Sequence, residues 1–465
     1  MKTVDKTFHR LFSQTFYKNL KLSLGRMTFT KDFVTTDRGD LYPVLERGES
    51  CRETVENNRY LVSGGSVTRL MGQFFPYATY EVTFEDLRGQ VGFRFQTASH
   101  TAAIGYDGTQ LLFERESFTP DIPLDTLIVS CRPGAFDVYT KQNGAARFLH
   151  TFRCPAFEDA NLQSEFSVGT AALSVSGSAV IRSGEFYIDC GVSQADIRPI
   201  RYEDGRVMVE RGKIYLTVSI RMQAETFQGI FSWIPGTAQF ALTGALFYDC
   251  GDGRWCGDVA ASLLYHREKQ QWLLWVCAFS HGHILAHAAF DADPRFGVNV
   301  IDVRLMPQKE NSAVTEFFAM CNDEDPDFFY DAAQNRWLMS VCRMDPAIRA
   351  YRYLFFESDS PFEGYRYLGC GQDGAETGGS FVSLQGETVF ACGNDFHKRA
   401  NYRIYRKTGM QEAKFDFDDG GFRGWGTLIP VPQGSRTRYY WLTFDRHNGS
   451  DYNWSYGNLY CFEAL

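Results

Sequence analysis

The stretch Tyr265-His-Arg-Glu-Lys-Gln-Gln-Trp272-Leu-Leu-Trp-Val-Cys277 lies without gaps on Tyr330-Asp-Ala-Ala-Gln-Asn-Arg-Trp337-Leu-Met-Ser-Val-Cys342. Tyr, Trp, Leu, Val and Cys coincide, and the polar run between Tyr and Trp reads as a tight turn joining two strands. Shorter relatives of this hairpin are Val207–Ser219 and Phe381–Cys392, and a fifth runs from Gly426 through a turn at Pro432–Thr437 to Phe444. A unit that returns every ~50–65 residues has the size of a four-stranded propeller blade. Decorations recur as well: Phe290–Gly297 and Glu357–Gly364 each carry a Pro-x-x-Gly turn after an acidic stretch. Long helical periodicity is absent. The expected C-terminal fold is a five-bladed β-propeller over residues 196–465.

Residues 1–195 alternate in the manner of strands without repeating the blade, as in Tyr80–Glu85, Val91–Gln96 and Gly184–Cys190. Turn signals such as Asp107-Gly108 and Asn143-Gly144 separate them. This half resembles a concanavalin-like jelly-roll β-sandwich, either carbohydrate-binding or structural, with Gly191–Arg201 as the passage between domains. The expected fold class is therefore all-β.

Composition excludes several functions. The net charge is -9 with no long basic run, which argues against nucleic acid or an anionic membrane as partner. No window approaches ~18 apolar residues, and Met1–Leu24 lacks the continuous apolar stretch of a secretory signal. The expectation is a soluble, cytoplasmic protein. None of the 12 cysteines forms a Cys-x-x-Cys pair; Cys277, Cys342 and Cys392 lie in apolar strands and read as buried free thiols. Phosphate-binding glycine loops, serine nucleophile elbows and zinc motifs are absent, so neither a cofactor nor a metal is expected. His281 and His283 stand one glycine apart with no matching carboxylate cluster beside them in the chain.

Acids open three of the repeats. They are Asp204 in Glu203-Asp204-Gly205, Asp325 in Asp323-Glu324-Asp325-Pro326-Asp327, and Glu376 before Thr377-Gly378-Gly379. A blade runs from inside to outside, so the residues opening its first strand lie near the central axis. Asp204, Asp325 and Glu376 each stand five residues before Val209, Tyr330 and Phe381, which gives them one register under the two-residue period of a strand. Glycosidic cleavage needs a protonated carboxyl for the leaving oxygen, and a carboxylate that attacks the anomeric carbon or activates water. Glu203 and Asp258 are rivals to Asp204 for the first-blade position.

These residues resemble the five-bladed propeller glycoside hydrolases of families 43, 32, 62 and 68. Asp325-Pro326 before Phe-Phe-Tyr, and Glu376-Thr-Gly-Gly-Ser-Phe, are similar to that group's Asp-Pro and Glu-Gly-Pro strands. Asp204 lacks the Asp-Pro signature, which marks a remote relative. The resemblance implies Asp204 as base or nucleophile, Asp325 as an orienting and tuning acid, and Glu376 as proton donor. It implies an oligosaccharide substrate with a terminal furanoside such as an arabinofuranosyl or fructofuranosyl unit. A non-catalytic carbohydrate-binding propeller, and transfer or phosphorolysis on the same fold, are the alternatives. Asp258, Arg343, Asn394, His447 and Trp425 are the expected substrate contacts. In related propellers a final-blade His helps hold a central metal or water; a polar loop residue is the preferred reading of His447.

Overall fold

The computed structural model describes residues 7–30, 33–37, 39–306, 323–345, 347–372, 374, 376–384, 386–394, 401–416, 423–445 and 457–464. The described chain divides into two compact units. One comprises residues 1–20, 190–252 and 256–465; the other comprises 21–189 with the short segment Gly253–Trp255.

The first unit is a five-bladed β-propeller. Its blades begin on the strands Ser193–Pro199, Val259–His266, Asp323–Asp331, Glu376–Leu384 and Arg423–Gln433. The matched hairpins occupy one register, with Tyr265 opposite Trp272 and Tyr330 opposite Trp337. Their rings meet at 4.9 and 5.2 Å. Side chains alternate along each inner strand, so consecutive residues enter different inter-blade cores. Leu263 packs with Trp272 and Leu274, whereas Leu264 packs with Trp275 and Phe328. Phe329 joins Phe381 and Phe390, while Val382 joins Trp441 and Phe462. Both faces of a blade are thus buried, which is why these strands read as near-continuous apolar runs. Each fully buried Leu or Phe adds ~1.5–3 kcal/mol.

Two boundaries differ from the sequence expectation. Residues 1–20 belong with the propeller, because Thr7–Gln14 pairs antiparallel with Leu459–Ala464 and parallel with Lys414–Phe415, completing the fifth blade. The segment Gly191–Arg201 is no passage. Its residues Ser193–Pro199 form the inner strand of the first blade, paired with Lys213–Arg221. The cause is an excursion: Arg201–Tyr202 leaves to pair in parallel with Leu264–Tyr265 of the second blade, and separates the two strands of the first hairpin.

The second unit is also all-β. Its spine is the strand Thr170–Asp189, which pairs with Thr79–Gln96, Arg59–Gln73 and Lys21–Thr30. Its core is aromatic, with Phe95 stacked on Phe136 at 5.2 Å and Phe136 edge-on to Phe157 at 5.3 Å. Trp255 packs on Phe166 at 4.5 Å, and its carbonyl accepts from the Tyr77 hydroxyl. No helix among the described residues is long and apolar enough to cross a membrane.

Candidate functional site: carboxylates on repeated strand kinks

All five inner strands are kinked at one place. The pairing register shifts between Ala195 and Arg198, Val259 and Ser262, Glu324 and Asp327, Thr377 and Ser380, and Arg423 and Gly426. Two residues there oppose one on the partner strand, a β-bulge that bends the strand and re-aims its side chains. The first bulged residue has positive φ in four blades: Asp196 at 50°, Ala260 at 63°, Asp325 at 52° and Gly378 at 63°. Glycine suits that conformation, whereas other L-residues bear a cost of ~1–2 kcal/mol. The equivalence therefore rests on backbone geometry and is independent of residue type.

Asp196 and Asp325 hold this position in the first and third blades. Their exposures are 4% and 3%, and the charge of Asp196 raises the proton affinity of Asp325. Burial pushes the Asp325 carboxyl well above the ordinary range, Asp196 pushes it further, and Arg198 opposes both. Burial likewise raises Asp196, against the pull of Arg221 and Arg198. Arg198 is fully enclosed and donates to the carbonyls of Ala260 at 3.1 Å and Gly379 at 3.4 Å, tying together the kinks of the second and fourth blades. Asp196 Oδ1 is buried without a hydrogen-bond partner among the described residues.

A second tier lies beneath. Asp327 accepts from Arg201 at 2.5 Å, Ser262 at 2.6 Å and the Phe381 amide at 2.7 Å, so it bridges several strands about the axis. Its partners are all internal, which assigns it to the scaffold.

Glu376 is completely buried and sits two residues before its kink, level with Asp258 and Asp323. It accepts from the Tyr353 amide at 3.2 Å and from the Tyr405 hydroxyl, with the Arg403 guanidinium at 3.7 Å. Cys342 links the two acid positions: its thiol donates to the Glu376 carbonyl at 3.2 Å, and burial together with Asp325, Glu324 and Glu376 raises it well above its ordinary value. Glu324 is half-buried, receives the Tyr351 hydroxyl at 2.9 Å and faces His283 Nε2 at 3.2 Å.

Asp204 is not among these groups. It lies in the turn after Tyr202, ion-paired with Arg206 at 2.7 Å and Arg267 at 2.6 Å, with a side chain 29% exposed. Tyr202 pairs with Tyr265, five residues beyond the Ala260 kink, so the turn lies about 16 Å down the strand. Its rival Glu203 binds the same Arg267 at 2.5 Å. Counting five residues back from Val209 fails because Val209–Glu210 is a two-residue appendage on Lys213–Arg221 and not an inner strand. Asp196 was missed for that reason, and Ala195-Asp-Ile-Arg-Pro-Ile200 carries two charges in six residues, so it gives no continuous apolar signal.

The other expected contacts divide. Arg343 lies opposite Asp323 in the pairing register and grips its carboxylate at 2.5 and 2.8 Å. Asp258 is buried, and both its oxygens accept from Ser280, at 2.9 and 2.7 Å. His447 and the side chains of Asn394 and Trp425 lie outside the described residues.

No protein-family model and no curated protein matches the chain. Solved structures do match it. A family-43 β-1,3-galactosidase with galactodeoxynojirimycin aligns over 57% of this chain and 93% of its own, at 10% identity and a TM-score of 0.38. The chain is similar to five-bladed propeller glycosidases. An α-L-arabinofuranosidase from Podospora anserina in complex with cellotriose covers 58% of this chain and 92% of its own, at 12% identity and a TM-score of 0.36. A B. subtilis levansucrase mutant covers 58% and 83%, at 11% identity and a TM-score of 0.40. These likenesses concern the fold alone.

Proposed function

We propose that the propeller is a glycoside hydrolase that removes terminal sugars, furanosides in particular, from oligosaccharides. One observation carries the reading: two acids occupy equivalent kinked positions where the fold itself accepts Ala or Gly, with a third buried acid in the fourth blade. Backbone in the left-handed region that bears buried acids points to function more than to packing.

In this reading Asp196 takes the first-blade role that the sequence assigned to Asp204. It is the carboxylate that attacks the anomeric carbon or deprotonates water. Glu376 delivers the proton to the leaving oxygen, with Tyr405 fixing its carboxyl. Asp325 holds substrate hydroxyls and, through its coupling to Asp196, tunes the charge at the axis. Separation of the donor and the opposing carboxylate decides the stereochemistry: about 5–5.5 Å for retention, about 6.5–9.5 Å for inversion.

We read residues 21–189 as a concanavalin-like jelly-roll sandwich, and the protein as a cytoplasmic enzyme that meets imported sugar fragments. A panel of nitrophenyl furanosides and pyranosides tests the proposal against wild type, Asp196→Asn and Glu376→Gln. Hydrolysis of a furanoside that both variants lose is the expected result. Activity that survives Glu376→Gln on poor leaving groups would remove Glu376 as proton donor.

A further inference from the structure

Cys250, Asp258 and His281 are distant in the chain and close in the fold. Cys250 follows the strand Phe240–Asp249 of the first blade, Asp258 precedes the second blade's inner strand, and His281 ends the short turn Phe279–His281 after that blade's second strand. One donor atom from each, a thiol sulfur, a carboxylate oxygen and a ring nitrogen, lies within 4.8 Å of the other two. A tetrahedral ion with bonds of ~2.0–2.3 Å needs donors ~3.3–3.7 Å apart, which small side-chain rotations reach from here.

The surroundings are arranged in the way that metal sites require. Ser280 presents its amide at 2.9 Å and its hydroxyl at 2.7 Å to the two oxygens of Asp258, fixing a carboxylate that is 2% exposed. Asp252 meets His281 Nε2 at 3.3 Å, the carboxylate–imidazole contact that sets ring tautomer and orientation behind a metal. The Nδ1 atom is turned towards Asp258, since Ser280 Oγ joins both, at 2.9 and 2.7 Å. Cys250 and His281 are half-buried, which leaves an ion access from solvent.

We propose that Cys250, Asp258 and His281 Nδ1 form a zinc site with its fourth position open to water. The donor set decides the ion. A thiolate beside an imidazole and a single carboxylate suits Zn²⁺ and disfavours Ca²⁺ or Mg²⁺, which take oxygen ligands. Such an ion joins the end of the first blade's strand Phe240–Asp249 to the start of the second blade's inner strand. It uses none of Asp196, Asp325 and Glu376, so it stands or falls apart from the hydrolase reading.

The test uses the full chain, stripped by chelator and titrated with Co²⁺ and then Zn²⁺. One equivalent of Co²⁺ with a thiolate-to-cobalt charge-transfer band is expected, displaced by Zn²⁺. Cys250→Ser should abolish the band, and His281→Asn should weaken Zn²⁺ binding by at least about tenfold. In unaltered protein, Zn²⁺ should also protect Cys250 from iodoacetamide, read by peptide mass spectrometry. Absence of stoichiometric uptake, a band that persists in Cys250→Ser, or alkylation of Cys250 unchanged by Zn²⁺ would each overturn the site.

Discussion

The kinks of the second and fourth blades carry Ala260 and Gly378, while those of the first and third carry Asp196 and Asp325. The backbone makes the same bend in all four. The bend therefore belongs to the propeller, and the acids are additions to it. Small residues are sufficient for the geometry, so the two aspartates need another explanation. Burial and a shared arginine counter-charge act on both, and the charge of Asp196 acts on Asp325.

The sharpest way to break this comparison is to neutralise one acid at a time. Asp196→Asn should lower kcat/KM by about 10²–10⁴-fold, the usual contribution of a general acid or base. Asp204→Asn, in the surface turn, should stay within about twofold. Steady-state kinetics on the active furanoside checks both, and the reverse ranking would return the first-blade role to Asp204.

The next largest effect is on stability. Arg198→Met removes the buried cation beside both aspartates and should cost about 3–5 kcal/mol, measured by denaturant unfolding. Asp325→Asn should act in the opposite sense and raise the melting temperature by roughly 1–3 °C while activity falls. The direction follows from the raised proton affinity of Asp325. A carboxyl with a folded pKa above its unfolded value favours the native state fully below the unfolded value of about 3.9, and that advantage is lost as pH rises through the folded value. The gap between variant and wild type should therefore open from about pH 4 upward; a gap that narrows with pH contradicts the assignment.

The smallest effect concerns the bare kink. Ala260→Gly relieves a left-handed alanine at some cost in chain entropy, and should stabilise the protein by about 0.5 kcal/mol in the same unfolding assay. Destabilisation there would mean that the kinks of the second and fourth blades are not the relaxed reference that the comparison needs.

Much of this was legible in the chain. The Tyr–Trp hairpins at 265–277 and 330–342 are local, and their pairing partners are the ones their alignment implies. Asp325 and Glu376 were reached because each follows directly into its blade's second strand. Asp196 was not, because Arg201–Tyr202 departs to another blade before the hairpin closes. Glu376 shares its distance to Phe381 with the Asp325–Tyr330 pair, yet stands two residues higher relative to the kink, since Phe381 lies three residues beyond its bulge and Tyr330 five. A count along the chain depends on the residue it starts from; the site is defined by distance from the bulge.

The sequence by itself determined the all-β character, the five repeated units and the alternation that sends neighbouring residues into opposite cores. These follow from side-chain period and turn chemistry, which act over a few residues. Only the tertiary structure decided where the inner strands bend, which aspartate stands at the first bend, that Thr7–Gln14 completes the fifth blade, and that Cys250 meets Asp258 and His281. Each of those depends on pairing between segments far apart in the chain, and no local pattern records the partner.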